Sequence, residues 1–182
     1  MHIKNKYHIN YISFQMKICL NMIVKNESRI IQRLLDSVLP YIDCYCICDT
    51  GSTDNTIEII EKLPIPGKII REPFRDFGYN RTFALKACEE IDADYILLLD
   101  ADMILKTSND FDKKTLWKAD SFSILQGSDD FYYNNLRIIK NNGLYKYIGV
   151  THEYISRPEN EKTRQLSKNE LFIIDIGDGG SK

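Results

Sequence analysis

The sequence has no apolar run that approaches the roughly 20 residues of a membrane-spanning helix. Its first stretch, 1–17, carries basic side chains but no apolar segment of signal-peptide length. Basic residues are not in excess, since 24 Lys and Arg stand against 26 Asp and Glu for a formal net charge of -2. These absences argue against a membrane-spanning protein and against nucleic acid as the main partner. We expect a cytoplasmic protein, and the Ile-, Asn-, Lys- and Tyr-rich composition is typical of AT-rich bacterial or viral genomes.

The five cysteines lack the spacing of a metal site. Cys44, Cys46 and Cys48 alternate along one predicted strand and share a face, so neighbours are poorly placed to pair with each other. Cys-x-Cys-x-Cys is also not a zinc spacing such as Cys-x-x-Cys. We expect all five thiols, with Cys19 and Cys88, to be reduced and buried, which fits a cytoplasmic compartment.

The 182 residues are 43% hydrophobic and 27% charged, which indicates one globular domain. Residues 1–16 read as a lead-in that is disordered or forms an extra edge, and residues 17–182 as a single domain. The first hundred residues alternate between strand and helix patterns, which predicts an α/β fold with a mixed, mainly parallel sheet flanked by helices. The predicted strands are 17–24, 43–48, 67–71 and 95–99, and the helices are 29–40, 55–62 and 80–90.

The second half changes character and predicts antiparallel strands. A short helix is expected at 112–117, and strands are expected at 121–126, 136–140, 144–148 and 171–176. Asn141-Asn142-Gly143 favours a turn that would join the strands on either side of it as a hairpin.

The segment from Ala93 to Leu105 reads ADYILLLDADMIL. Its apolar run predicts a strand buried on both faces, and ligands bind beyond the carboxyl ends of such parallel strands. Asp100 and Asp102 therefore stand where a ligand is expected. Two carboxylates this close repel each other unless a positive group lies between them, and a divalent cation carrying a diphosphate would fill that role. An acidic strand-to-turn junction is the plainer alternative.

Other polar groups follow predicted strands or open helices. Asp49 ends the second strand, where it could accept hydrogen bonds from a base or ribose, whereas Ser52, Thr53 and Asp54 suit helix capping. The turn 49–54 lacks both the Gly-x-Gly-x-x-Gly fingerprint and a P-loop lysine. Arg81 could grip a phosphate or carboxylate, or lie in solvent at a helix start.

The candidate site residues of the second half each allow two interpretations. His152 would suit manganese in an Asp-x-Asp site, although a lone histidine is more often structural. Its neighbour Glu153 could act as a general base, and the two would share a site only if this segment is irregular. Asp129 and Asp130 form a second acidic pair, catalytic or simply solvated. The glycine-rich tail, 178–182, could cradle phosphate or fray.

Taken together, the motifs resemble the inverting, metal-dependent glycosyltransferases of the GT-A fold, family two type. The matching pieces occur in family order and cover about 17–182. They are CLNMIVKNES from Cys19, CDTGSTDNT from Cys48, DFGYNRTFALKA from Asp76, LLLDADM from Leu97 and GVTHEY from Gly149.

The resemblance implies a donor site for a nucleotide-diphosphate sugar, with a UDP-sugar favoured over a GDP-sugar. Residues 21–24, including Asn21 and Ile23, would line the base pocket, and Asp49 would contact the base. Arg81 and Ala101 would lie near the donor.

The resemblance also implies Mn²⁺, or Mg²⁺, as the cofactor. Asp100 would contact ribose or metal, Asp102 would bind the metal that holds the diphosphate, and His152 would be a further ligand. Glu153 is our candidate base, with Asp129 or Asp130 behind it, for an acceptor hydroxyl on a saccharide, a protein or a lipid. A homodimer is one option for its assembly.

The chain departs from the family pattern in two places. Relatives continue beyond the Gly-Gly-Ser-Lys stretch at 179–182, so we expect a shortened chain that lacks part of the acceptor side, or a minimal enzyme. Many relatives also carry a second acidic residue before Gly51, where this chain has Thr50.

Three other functions compete with transfer. A sugar-1-phosphate nucleotidyltransferase would need a glycine-rich basic loop where the chain has Asn26-Glu27-Ser28. A phosphatase of the Asp-x-Asp-x-Thr type is disfavoured because Ile104 replaces the hydroxyl. A non-catalytic nucleotide-sugar-binding module would bind nucleotide with metal and turn nothing over.

Overall fold

The computed structural model describes residues 16–108, 111–128, 130–150 and 152–180. The predicted lead-in, 1–16, lies outside these ranges except for Met16, which is buried in the core. Within the described residues, no helix is both long and apolar enough to span a membrane.

The strands and helices follow the predicted alternation through the first hundred residues. The strands are β1 (Ile18–Val24), β2 (Cys44–Asp49), β3 (Gly67–Arg71), β4 (Tyr95–Leu98), β5 (Met103–Thr107), β6 (Ser121–Gly127), β7 (Tyr132–Lys140), β8 (Lys146–Ile148), β9 (Tyr154–Ser156), β10 (Thr163–Gln165) and β11 (Leu171–Asp175). The α-helices are α1 (Ile31–Val38), α2 (Thr56–Glu61) and α3 (Phe77–Ala87), and 3₁₀ helices occupy Cys88–Glu90 and Lys113–Lys118.

In the described ranges, one sheet has the strand order β3-β2-β1-β4-β7-β6-β11-β5, with β10 beside β6. Strands β1 to β4 pair in parallel, whereas β7 is antiparallel to both β4 and β6. The mixed, mainly parallel sheet is therefore confirmed. Because β1 and β4 are neighbours in the middle of this sheet, their carboxyl ends open at the same edge.

The sheet is covered on both faces, which explains the continuous burial of β1, β2 and β4. One face packs Leu20, Ile47 and Leu97 with Leu34 and Leu35 of α1. The other face holds thiols and α3, in a cluster that includes Cys19, Cys44, Cys46, Leu85, Cys88 and Ile96. All five cysteines are buried and free, as predicted.

The predicted hairpin around Asn141-Asn142-Gly143 is wrong in its pairing. The turn forms, with Gly143 at φ 72°, but β8 pairs with β9 in a separate two-stranded sheet. The physical reason is that β7 already lies between β4 and β6, so it has no free edge to offer β8.

Helix α3 begins three residues earlier than the predicted residue 80. Asp76 caps it by accepting a hydrogen bond from the Tyr79 backbone N–H at 2.7 Å. Gly78 in its first turn lies against the loop after β8, because a Cβ built there would be 2.0 Å from the Gly149 carbonyl oxygen. Glycine at this position lets the loop approach the helix closely.

We predict that Gly78→Ala destabilises the protein by about 1–3 kcal/mol, because the added methyl group must push the Gly149 backbone away. This cost exceeds the gain in helix propensity of about 1 kcal/mol that alanine brings. Urea unfolding measures the change, and Lys86→Ala at an exposed position of the same helix is the control. Equal midpoints for Gly78→Ala and the wild type would show that the two backbones are not in close contact.

Candidate functional site

A cleft of about 800 Å³ opens at the carboxyl edge of the parallel strands. Residues 23–27, at the end of β1 and just beyond it, and residues 100–103, between β4 and the start of β5, form two of its sides. The remaining lining comes from the turn after β2, the segment before α3, helix α3, strands β6 and β7, the loop before β9, and the end of β11 with the tail beyond it. These residues are Thr50, Phe74, Phe77, Arg81, Gln126, Tyr133, Arg137, Glu153, Asp175, Gly179 and Gly180. The cleft therefore lies where the parallel strands predict a ligand.

Arg81 ties two carboxylates together at the centre of the cleft. Its Nη2 atom lies 2.6 Å from Asp100 Oδ1, and its Nε atom lies 2.9 Å from Glu153 Oε1. The second contact is an ion pair without hydrogen-bond alignment. The Arg81 side chain is 14% exposed and sits 5.9 Å from the Phe77 ring and 5.8 Å from the Tyr147 ring. This packing fixes the guanidinium between the two acids.

Asp100 is held from a second side by Arg137, whose Nη1 atom is 3.7 Å from Asp100 Oδ2. Burial would raise the pKa of Asp100, but the charges of Arg81 and Arg137 and the hydrogen bond from Arg81 outweigh it and lower that pKa. The pKa of Arg81 is raised, since its burial is outweighed by Asp100 and by Glu153. Asp100 is thus an ionised carboxylate whose oxygens already face two cations.

A chain of hydrogen bonds extends this network through Arg137 to Gln126 and Asp175, which the sequence did not predict as site residues. Arg137 Nε donates to Gln126 Oε1 at 2.8 Å, and Gln126 Nε2 donates to Asp175 Oδ2 at 3.0 Å. Arg137 stands within a buried apolar stretch of β7. A charged side chain inside such a stretch needs a partner. Arg137 was therefore the signal in the sequence that could have indicated this network.

The other end of the cleft is acidic. Burial raises the pKa of Asp102, and repulsion from Asp100 and Asp175 raises it further, against hydrogen bonds from backbone N–H groups. Burial likewise raises the pKa of Glu27, opposed by a hydrogen bond from Gly180 and reinforced by Asp102. Such mutual repulsion is relieved when a cation binds between the carboxylates.

The tail after β11 folds over this acidic end. The Gly180 N–H lies 3.1 Å from each Glu27 carboxylate oxygen, and a Cβ at Gly179 would be 3.2 Å from Asp102 Oδ2. Arg33 and Asp178 form an ion pair at 2.7 Å that holds the tail to α1. The tail is therefore part of the cleft wall up to residue 180.

The loop after β1 is held by the turn after β2. Ser28 N–H donates to Asp54 Oδ2 at 3.1 Å, Glu27 N–H to Thr56 Oγ1 at 2.7 Å, and Thr53 N–H to Asn26 Oδ1 at 2.7 Å. Asn26 adopts φ 57°, a left-handed conformation that asparagine tolerates well. The polar turn therefore fixes the loop that carries Glu27. The expected capping of α2 by this turn is wrong, because the N-cap residue is Asn55 and it makes no side-chain capping hydrogen bond.

Several predicted residues line the cleft. Ile23, Arg81, Asp100, Ala101, Asp102 and Glu153 do so. Asp49 lies buried beneath it, and its Oδ1 accepts hydrogen bonds from the Gly51 and Ser52 backbones at 3.3 and 2.8 Å.

Other predicted residues do not reach the cleft. Asn21 is buried, and its amide donates to the Cys46 and Ala84 carbonyls at 2.9 and 3.0 Å, so it joins β2 to α3 instead. The side chains of His152 and Asp130 are exposed to solvent and line no part of it. Asp129 falls outside the described residues. Among the residues that are described, no three His, Cys, Asp or Glu side chains are grouped to hold a metal ion by themselves.

The sheet topology and an acidic cleft at the strand ends define the class of protein as a GT-A, Rossmann-like α/β fold. A family model described as Glycosyl transferase family 2 matches residues 19–175. The chain therefore belongs to glycosyltransferase family 2.

Three known proteins are similar to the chain in sequence or in structure. An uncharacterised glycosyltransferase of Rickettsia conorii is 34% identical over 90 residues, which cover 50% of this chain and 30% of that protein. The SPbeta prophage-derived glycosyltransferase SunS of Bacillus subtilis is 30% identical over 147 residues, covering 75% of this chain and 34% of SunS. The crystal structure of S. aureus TarS 1-349 in complex with UDP-GlcNAc matches with a TM-score of 0.59 at 17% identity, covering 87% of this chain and 58% of that one. The chain spans about a third of the length of these two curated relatives.

We predict that Asp54→Ala destabilises the protein by about 1 kcal/mol at pH 7, because the backbone N–H groups of Ser28 and Thr56 lose a charged acceptor. Burial raises the pKa of Asp54, but hydrogen bonds from Ser28 and Thr56 outweigh it and lower that pKa from 3.8 to about 2. A lowered pKa stabilises the fold above the unfolded value and ceases to do so as the pH falls through the folded value. The difference in unfolding free energy from the wild type should therefore shrink between pH 4 and about 2.

Urea unfolding across that pH range measures the effect, with Asp130→Ala as the exposed-carboxylate control. A difference that is independent of pH would contradict the assignment of these hydrogen bonds to the ionised carboxylate.

Proposed function

We propose that the protein transfers a sugar from a nucleotide-diphosphate sugar, with a UDP-sugar favoured, to an acceptor hydroxyl with inversion at the anomeric carbon. The observation that carries this proposal is the cleft, in which Asp100 and Asp102 end β4 beside the Arg81–Glu153 ion pair. Membership of glycosyltransferase family 2 supports the reaction class. The complex of TarS with UDP-GlcNAc supports a UDP-sugar donor.

The acidic end of the cleft fits a divalent cation. Mg²⁺ and Mn²⁺ prefer oxygen ligands, and such sites often use one or two carboxylates together with substrate phosphates. Asp102 is the residue that would hold the ion, with Glu27 and Asp175 nearby to add negative charge. When bound, the ion would neutralise the developing charge on the leaving diphosphate. Asp100 is the weaker candidate for direct ligation, because two arginines already face its oxygens.

The chain's own residues supply the proton transfer. Glu153 accepts the proton of the acceptor hydroxyl, whose oxygen bonds to the anomeric carbon as the bond from that carbon to the diphosphate oxygen breaks. Arg81 holds the Glu153 carboxylate beside the cleft, since Nε lies 2.9 Å from Oε1. The nucleoside diphosphate leaves from the face opposite to attack, which inverts the configuration.

Asp102→Asn tests the metal assignment. We expect the Mn²⁺-dependent release of UDP from UDP-GlcNAc or UDP-glucose to fall at least about 100-fold, because the neutral amide binds a hard cation poorly. Thermal unfolding should show an intact fold, and Asp130→Asn, on an exposed carboxylate, should retain the wild-type rate. Full activity in Asp102→Asn would refute the assignment.

Glu153→Gln tests the base. Loss of a general base typically costs about 10²–10⁴-fold in rate, so we expect kcat for transfer to fall by that order while the Kd for UDP stays unchanged. Glu153→Asp, which keeps the charge facing Arg81, separates an electrostatic role from proton transfer. Glu159→Gln, at an exposed glutamate that lines neither cavity, is the matched control, and Asp130→Asn tests the competing candidate. If Asp130→Asn loses kcat and Glu153→Gln does not, the base is Asp130.

A further inference from the structure

A second cavity, of about 390 Å³, adjoins the cleft. Four residues line both spaces, namely Arg81, Asp100, Arg137 and Glu153. Any molecule in the second cavity would therefore lie next to Glu153, which also lines the cleft. Its remaining walls come from β6, β7 and the β8–β9 hairpin, and they include Ser123, Asn134, Asn135, Tyr147, Tyr154 and Arg157.

The lining of this cavity is polar, and several of its groups are available to a ligand. Within the described part of the chain, the Ser123 hydroxyl, the Asn134 amide and the Tyr147 hydroxyl make no hydrogen bond to other side chains or to the backbone. An amide offers two donors and two acceptor sites, and a hydroxyl offers both roles. These groups can form hydrogen bonds with a ligand that carries many hydroxyls.

Aromatic surface stands next to these polar groups. Tyr154 is 63% exposed, and its ring is not needed in the core. Tyrosine presents an apolar face with a polar tip, which suits a ligand that has both apolar C–H faces and hydroxyls. Leu136 and Ile155 are the aliphatic members of the lining, so the cavity offers little to a lipid chain.

We propose that this second cavity, the acceptor subsite, binds a saccharide acceptor and presents one of its hydroxyls to Glu153. The inference rests on the proposed function. Its volume lies in the range of about 300–1,000 Å³ that is typical of small-molecule sites, so it fits a sugar unit rather than a folded protein surface. The shared wall supplies the base, and the reaction breaks and forms the same bonds as described above for the transfer.

The test uses the whole chain with UDP and Mg²⁺ present. Saturation-transfer NMR with the methyl glycosides of glucose, galactose and N-acetylglucosamine should show that at least one of them binds. For that glycoside, Asn134→Ala should raise both Kd and the KM of transfer by about tenfold, the value of one or two hydrogen bonds. The Kd for UDP should stay within about twofold of the wild type.

Two further variants provide a second test and a control. Tyr154→Ala removes the exposed ring and should also weaken glycoside binding. Asn169→Ala removes an exposed asparagine that lines neither cavity and should change nothing.

The outcomes separate this inference from the proposed function. If the wild type binds UDP but no glycoside, or if Asn134→Ala binds the glycoside as well as the wild type, the acceptor subsite is wrong. The acceptor subsite is equally wrong if transfer occurs only to a peptide or lipid hydroxyl and is insensitive to Asn134→Ala. If the wild type binds none of UDP, GDP, CDP and ADP, the proposed function itself is contradicted.

Discussion

The contacts of Arg81 with Asp100 and Glu153 hold three separate segments of the chain at one point. Arg81 comes from α3, Asp100 from the end of β4, and Glu153 from the loop before β9. Removing Arg81 would leave Glu153 without its ion-pair partner, and breaking a buried pair in this way typically costs about 3–5 kcal/mol. The cleft and the second cavity share this point as a wall, so the arrangement of both depends on it.

Charge is distributed unevenly around this centre, and that unevenness gives the cleft its chemistry. Arginines neutralise Asp100 on one side, whereas on the other side Asp102 is repelled by Asp175 and itself repels Glu27, without comparable compensation. A cation and a diphosphate together would balance the second group. The loop that carries Glu27 and the tail at Gly180 are fixed by hydrogen bonds, which keeps this group assembled.

Local pattern was enough to predict the first four strands and the position of the acidic pair, because buried parallel strands leave continuous apolar runs and their ends define the edge. The pattern left Arg81 open between a buried partner and solvent, and only the family resemblance placed it near the donor. It failed where partners are distant in sequence. The β8 strand pairs with β9 because β7 is already enclosed, a fact that no local turn signal contains. Asn21 was expected in the base pocket, but strand alternation turns it toward α3. The role of Asp175 and Gln126 in the site could not be predicted, because it depends on a hydrogen bond between residues that are distant in sequence.

The most direct test of the nucleotide-sugar site is thermal unfolding of the wild-type protein with UDP, GDP, CDP or ADP, each with and without Mn²⁺. A ligand at about a hundred times its Kd adds roughly 2.7 kcal/mol, which raises Tm by several degrees for a domain of this size. We expect a shift with UDP that requires Mn²⁺. The absence of a shift with every nucleotide, in the presence of Mn²⁺, would contradict the assignment of Asp102 and the cleft to a nucleotide-sugar donor.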